Sequence, residues 1–381
     1  MNTGKIRIEE IFRSGENLMK ENLTNRQIAL VLFGTIVEFG IHTLPEDVAV
    51  ATGTGGWVTL AFNTIFFMFM TYIVTYIQYS NENKTLYAYS REFFGKYIAA
   101  ILAILYIVYF MMIVTMVLRI YAEILRLILL NKTPVWATLF VFYSIVFFAT
   151  SKKLQAIGRL AEFYSLLVII GYLFLIFIVF TKAELINMQP FFEVSQVPKY
   201  IKAIYRFMLP FLGAEILLLI PMDKAKNKNI FRYTILTMLG VGVLYILNFE
   251  SSISVGGIES VINQKAPLFQ TLRGLDVYKL EILRRLDGLY FIFWTMNMFT
   301  SGCIWSYGTT TLINDLFPKL KANYILIVVV ISEYIISLLP RTMMEIDQIM
   351  KLFSGIGMAT SIAIPIIIFI ITKVKKYEKK I

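Results

Sequence analysis

Two glutamates, Glu38 and Glu215, stand inside long apolar stretches of a 381-residue chain. The first stretch reads Gly34-Thr-Ile-Val-Glu38-Phe-Gly40-Ile-His42-Thr-Leu-Pro45. The second reads Met208-Leu-Pro210-Phe-Leu-Gly213-Ala-Glu215 and closes on Ile220-Pro221-Met222-Asp223. Glycine weakens a helix, and proline removes a backbone donor and crowds the turn before it. A carboxylate near the midplane of a membrane costs at least about 2.5–3.5 kcal/mol on insertion scales, so it must face a bundle interior or carry a proton. Carboxyls beside interrupted helices can bind an ammonium group, hold a proton, or simply hydrogen-bond a neighbouring helix. Enzyme chemistry is not indicated. A single cysteine, Cys303, and a single histidine, His42, exclude a disulfide, a cysteine metal cluster and a histidine triad, and no nucleophile–base pair stands out. No catalytic residue, metal or cofactor is expected.

The elements that must position these groups are membrane helices. Hydrophobic residues make up 58% of the chain and charged residues only 16%, too few to cover a water-facing surface. Ten segments have the roughly 20 apolar residues that a hydrocarbon core about 30 Å thick requires. They are 26–45, 56–79, 97–129, 134–150, 159–181, 203–222, 229–253, 286–314, 323–340 and 347–373. The net charge of +11 is carried by short clusters between these runs, which fits loops beside anionic lipids and not a nucleic-acid stripe. Lys84, Arg91 and Lys96; Lys152, Lys153 and Arg159; Lys224, Lys226, Lys228 and Arg232; and Lys319 with Lys321 all fall on one side if the N-terminus is cytoplasmic. The basic tail falls there too, so both termini are expected in the cytoplasm, although Lys199, Lys202 and Arg206 then lie outside. The expected organisation is a cytoplasmic segment 1–25, with no signal-peptide pattern, a bundle 26–373, and a basic cytoplasmic tail 374–381. Segments 182–202 and 254–285 are polar outer links that can cap an entrance.

Ten spans with interruptions in the first and sixth suggest two five-helix repeats of opposite topology, about 26–181 and 203–373. In such an all-α inverted repeat, the permease fold typified by LeuT, a ligand binds between the two broken helices. At 1.5 Å per residue, Glu38 and Glu215 lie very roughly 15–18 Å into their spans, near the midplane. The expected ligand-binding residues are Gly34, Glu38, Gly40, Pro210, Gly213 and Glu215, with Tyr109 and Trp294 from the third and eighth spans. Each has a plainer reading, a packing kink for the glycines and proline and ordinary bundle filling for the aromatics, Tyr106 and Tyr290 among them. His42 reads as a snorkelling or hydrogen-bonded side chain near the outer interface. Asn63, Asn297, Thr300, Ser301 and Glu333 read as contacts between helices. Arg119, Glu123 and Arg126 read as a salt-bridged stripe on one helix face.

Three stretches carry a resemblance to the endospore germination permeases, the integral B subunits of nutrient-germinant receptors. Gly40-Ile-His-Thr-Leu-Pro45, followed by Ala49-Val-Ala-Thr-Gly-Thr-Gly-Gly-Trp57-Val, is similar to that family's G-I-x-x-L-P segment and the link that follows it. Gly158-Arg159-Leu-Ala-Glu162 is similar to its R-x-x-E start of the fifth span. Phe211-Leu-Gly213-Ala-Glu215-Ile-Leu-Leu resembles its F-x-x-x-E-x-L segment. The ordered set covers residues 25–373. The resemblance implies the amino acid–polyamine–organocation permease fold and an inner spore-membrane location. It also implies assembly with an A subunit and a lipoprotein C subunit, and sensing of an amino acid or similar germinant. Glu38 and His42 depart from that pattern. A proton-coupled amino acid transporter and a non-binding membrane scaffold remain open alternatives.

Overall fold

The fold, taken from a computed structural model, is described over residues 22–264, 266–274 and 286–378. Most of the expected N-terminal segment, the end of the second outer link and the last residues of the tail lie outside the described residues. Twelve helices account for nearly all of the rest, with no strand among the described residues. The first half contains α1 (Asn25–Thr52), α2 (Gly56–Ser80), α3 (Leu86–Ile128), α4 (Val135–Ser151) and α5 (Lys153–Phe180). The second begins with α6 (Val197–Arg206), followed by a stretch without α-helix, then α7 (Ile230–Ile262) and the short α8 (Pro267–Gly274). It ends with α9 (Leu286–Leu316), α10 (Ala322–Leu338), α11 (Met343–Met358) and α12 (Ile364–Glu378).

Aliphatic and aromatic side chains cover the outside as well as the inside of this bundle. Phe62, Phe69, Ile101, Phe148 and Phe177 are each more than half exposed. A water-soluble protein keeps exposed apolar patches small, so this belt marks the surface that faces lipid tails. Five stretches are long and apolar enough to cross a membrane by length and composition, and α4, α10 and the sixth span are shorter apolar elements. The chain is an integral membrane protein.

The two halves share their irregularities at matching places. α4 and α10, the fourth span of each half, are both 17 residues long. α3 is kinked at Gly95 (φ 81°, ψ 175°), so a short helix precedes the third span. α7 is kinked at Gly257 (φ 70°, ψ 172°), so a short helix and α8 precede the eighth. Both kinks lie in the link between the second and third spans of a half. Only glycine reaches these dihedral angles without strain, and at Gly95 an added Cβ meets nothing, so backbone conformation alone selects the residue. α1 packs against α7, α5 and α9, and α9 also packs along α3.

One end of the bundle gathers the loops expected on one side. Thr24 caps α1 through a reciprocal pair with Gln27. Asn227, after the sixth span, donates to the Leu23 carbonyl and to Asn25 Oδ1, both at 3.1 Å. Lys224 pairs with Glu82 at 3.3 Å, and Arg26 with Glu162 at 3.2 Å. The N-terminal ends of α1 and α5 thus meet the links after the second and sixth spans.

The first span differs from expectation. α1 runs as one helix through Gly34, Gly40 and Pro45, so it is not interrupted. Proline at 45 leaves the Ile41 carbonyl without its usual donor, and Asn248 of α7 supplies one at 2.7 Å. The sixth span is broken as expected. α6 stops at Arg206, the residue whose carbonyl Pro210 cannot serve; two short 3₁₀ turns, Leu209–Phe211 and Ala214–Leu219, follow. A further defect is present in the tenth span, where a π turn at Ala359–Ala363 separates α11 from α12 just before Pro365.

Candidate ligand-binding site at the broken sixth span

Gly213 sits at the break with φ 131°, extended Leu212 before it and a 3₁₀ turn after it. A Cβ here would lie 3.0 Å from Ile36 Cγ1 and 3.3 Å from the Thr35 backbone, so the position needs glycine for conformation and for contact with α1. Its N–H donates to Glu215 Oε2 at 2.9 Å. The other oxygen of Glu215 accepts from the Tyr109 hydroxyl of α3 at 2.9 Å. Two donors from two elements therefore hold one buried carboxyl in place.

Glu38 approaches from α1. Trp305 of α9 points its indole N–H at both carboxyl oxygens, each at 3.3 Å. The Trp305 and Tyr109 rings meet edge to face with centroids 6.2 Å apart. The two carboxyls thus flank an aromatic pair. Both are at most 5% exposed, and neither has a cationic partner among the described residues. Burying carboxyls without a counter-charge is costly unless protons or a bound cation compensate, so the arrangement suits a cationic group.

The backbone of α1 is already occupied. Tyr245 of α7 donates to the Ile36 carbonyl at 2.8 Å and to the Pro210 carbonyl at 3.0 Å, tying α1 to the broken span. Trp294 of α9 donates to the Glu38 carbonyl at 2.9 Å, and Asn248 serves Ile41. Gly40 makes room for the first of these ties, since a Cβ there would fall 2.4 Å from the Tyr245 hydroxyl and 3.0 Å from Pro210. Tyr245 and Asn248 were not singled out from the sequence. Their one signal is their spacing, three residues apart in an apolar helix, where polar groups share a face.

Seven of the eight expected residues, Glu38, Gly40, Pro210, Gly213, Glu215, Tyr109 and Trp294, meet around α1 and the break. Trp294 reaches the Glu38 backbone and the His42 ring on α1, and not the Glu38 carboxyl. Gly34 lies elsewhere: an added Cβ there would face Ser165 of α5 and Thr300 and Asn297 of α9 at 3.4–3.7 Å. It lies just over one helical turn, about 6 Å, before Glu38 on much the same face of α1, so depth along the helix and not orientation sets it apart from the break. His42 is buried, not snorkelling; its Nδ1 meets the Tyr290 hydroxyl at 3.1 Å, and its ring stacks on Trp294 at 4.3 Å. Tyr106 donates to the Thr360 carbonyl in the π turn, at 2.5 Å. Glu333 accepts from Ser306 at 2.7 Å and so joins α10 to α9. Arg119, Glu123 and Arg126 form the expected ion pairs at 2.7 and 2.9 Å, with Arg119 and Glu123 buried. Asn63 donates to the Ile204 carbonyl, whereas both amide atoms of Asn297 are buried with no partner among the described residues.

Little open space adjoins the cluster. A void of about 10 Å³ beside Tyr109 and Leu209 is lined by Met112, Met116, Ile349, Met350 and Phe353 of α3 and α11. That is close to the minimum for one water, so an amino-acid-sized molecule needs these side chains to move. Methionine suits such a seam because it repacks easily.

Comparison with known proteins gives this geometry a setting. Over 89% of its length the chain superposes on a substrate-bound, outward-open Na⁺-coupled sialic acid symporter, with TM-score 0.67, 10% identity and 77% of that chain covered. It matches MhsT in complex with L-phenylalanine with TM-score 0.64 and 11% identity, over 92% of this chain and 89% of that one. These similarities show a shared LeuT-type fold. Spore germination protein A2 of Bacillus subtilis (strain 168) is 26% identical over 352 residues, 91% of this chain and 94% of the relative. Spore germination protein B2 of the same organism is 20% identical, over 94% of this chain and 97% of the relative. A family model described as "Spore germination protein" matches residues 22–346, and the chain belongs to that family.

Proposed function

We propose that this protein is the membrane B subunit of a germinant receptor and binds a small nutrient with an ammonium group, such as an amino acid, beside Glu38 and Glu215. The observation that carries this reading is the pair of buried carboxyls with no counter-charge among the described residues, contributed by matching spans of the two halves and flanking Tyr109 and Trp305 at the break. The ammonium sits between the two carboxyls. Its arrival displaces the Tyr109–Trp305 contact, and the Met112, Met116 and Met350 seam opens to admit it. Ligand binding then favours the bundle conformation that accommodates it, by the difference in its affinity for the two. The A and C subunits, in the inner spore membrane, read that shift.

A transporter is the second reading, favoured by the symporter fold and by carboxyls that can carry protons. Unwound carbonyls in such folds coordinate a driving cation. Here those of Ile36, Glu38 and Ile41 are held by the protein's own donors, which weighs toward a receptor without a cation site on α1. Titration of the assembled receptor with candidate amino acids tests the proposal, together with photo-crosslinking from position 109. Label on this chain, lost with Glu215→Gln, is expected; label confined to the A subunit overturns it. Uptake by the purified chain in liposomes, abolished by Glu215→Gln, would instead establish the transporter.

A further inference from the structure

A second site lies on the lipid-facing side of the bundle, away from the carboxyl pair. A groove of about 680 Å³ opens between α1, α5 and α7, with Leu30 and Phe33 on one wall and Ile169 and Leu173 on the other. Its volume is in the range of small-molecule sites. Along α7 it follows a single stripe, from Asn229, Arg232 and Tyr233 through Gly240 to Leu244. From Arg232 to Leu244 the helix rises about 18 Å, close to the roughly 15 Å depth of one lipid leaflet.

The two ends of this groove differ in chemistry. The far end is wholly apolar, and Gly240 leaves it open, since a Cβ there would meet no atom within 4 Å. The near end presents the Arg232 guanidinium, exposed and without a carboxylate partner among the described residues, beside Asn229 and Tyr233. Lys224, Lys226 and Lys228 stand just before it in the chain, which places the near end at the basic rim of the bundle. An apolar slot one leaflet deep under a lone cation matches a lipid with an anionic headgroup, and basic pockets between membrane helices hold such headgroups.

We infer that this groove binds one anionic phospholipid of the adjacent leaflet, its phosphate on Arg232 and an acyl chain along Gly240. A helix of another protein would fill the apolar part but would leave Arg232 without a counter-charge unless it brought an acid. The lipid would lie between α1 and α7, the helices that Tyr245 and Asn248 bind together, so its binding bears on how far they separate.

The test uses the full-length chain reconstituted with equal parts phosphatidylglycerol and phosphatidylcholine, then re-extracted for native mass spectrometry. One retained phosphatidylglycerol is expected. Arg232→Gln should lower its preference over phosphatidylcholine about fivefold, the factor one basic side chain supplies near a charged membrane. Gly240→Trp, which fills open space, should expel the lipid while the protein melts at the wild-type temperature. Lys319→Gln, at a basic loop outside the groove, should change nothing. Equal retention of both lipids, or wild-type retention in both groove variants, overturns the inference. A photoreactive probe on G240C gives an independent reading, since Cys303 is buried. A lipid adduct in whole membranes supports the site, and an adduct with another protein overturns it.

Discussion

α1 and the sixth span carry the same ingredients, a carboxylate, glycines and a proline, yet one remains a helix and the other does not. In α1 the proline stands alone near the C-terminal end, and the single acceptor it strands, Ile41, is met by Asn248. In the sixth span Pro210 and Gly213 are three residues apart, and Pro221 follows. The helix ends four residues before the first proline, and Gly213 turns the chain with a dihedral angle no other residue adopts cheaply. Clustered defects break a helix; a single defect is repaired by a neighbour that offers a donor. The unbroken member then serves as the wall against which the broken member is fitted, through Gly213 on Thr35 and Tyr245 across both.

The sharpest way to break this comparison is at Gly213. Gly213→Leu adds a Cβ at positive φ against the Thr35 backbone and should cost roughly 3 kcal/mol or more, read as loss of folded protein in the membrane. Gly40→Ala should come next, at about 2 kcal/mol, because it drives the Tyr245 hydroxyl off its two carbonyls. In a Tyr245→Ala background the same change should cost far less, a non-additivity that thermal unfolding of the four proteins would measure. Asn248→Leu should cost about 1 kcal/mol, the usual scale of hydrogen bonds between membrane helices, by stranding Ile41. Adding Pro45→Ala should restore most of that loss, since alanine returns the missing N–H; no recovery would mean that Asn248 does not act through Ile41. Smallest in stability, Glu215→Gln should shift melting little and abolish the ligand response, because it removes charge while keeping shape.

The family and the fold could be read from the chain, and so could most of the residues that meet around the break. Pro210-Phe-Leu-Gly213 announces a break because its cost is local, paid in backbone donors and dihedral angles within a few residues. Pro45 makes an identical announcement and misleads, because its cost is offset by a side chain more than 200 residues away. Gly34 and Glu38 are one turn apart on much the same face of α1, but only packing sets Gly34 against α5 and α9 and brings Glu38 to Trp305 beside the break. The π turn before Pro365 and the occupants of the α1 carbonyls were equally out of reach.

Composition and apolar length establish that this chain lives in a membrane, the order of its spans points to two related halves, and a carboxyl stands inside the first span of each. Apolar length, basic loops and helix-breaking residues act locally, so their consequences follow without knowledge of the partners. Tertiary structure decided which break survives, which carbonyls are free, and that Glu38 and Glu215 converge on Tyr109 and Trp305. Those outcomes depend on donors from α7 and α9 meeting acceptors on α1, and pairings between distant helices are set by how the whole bundle packs.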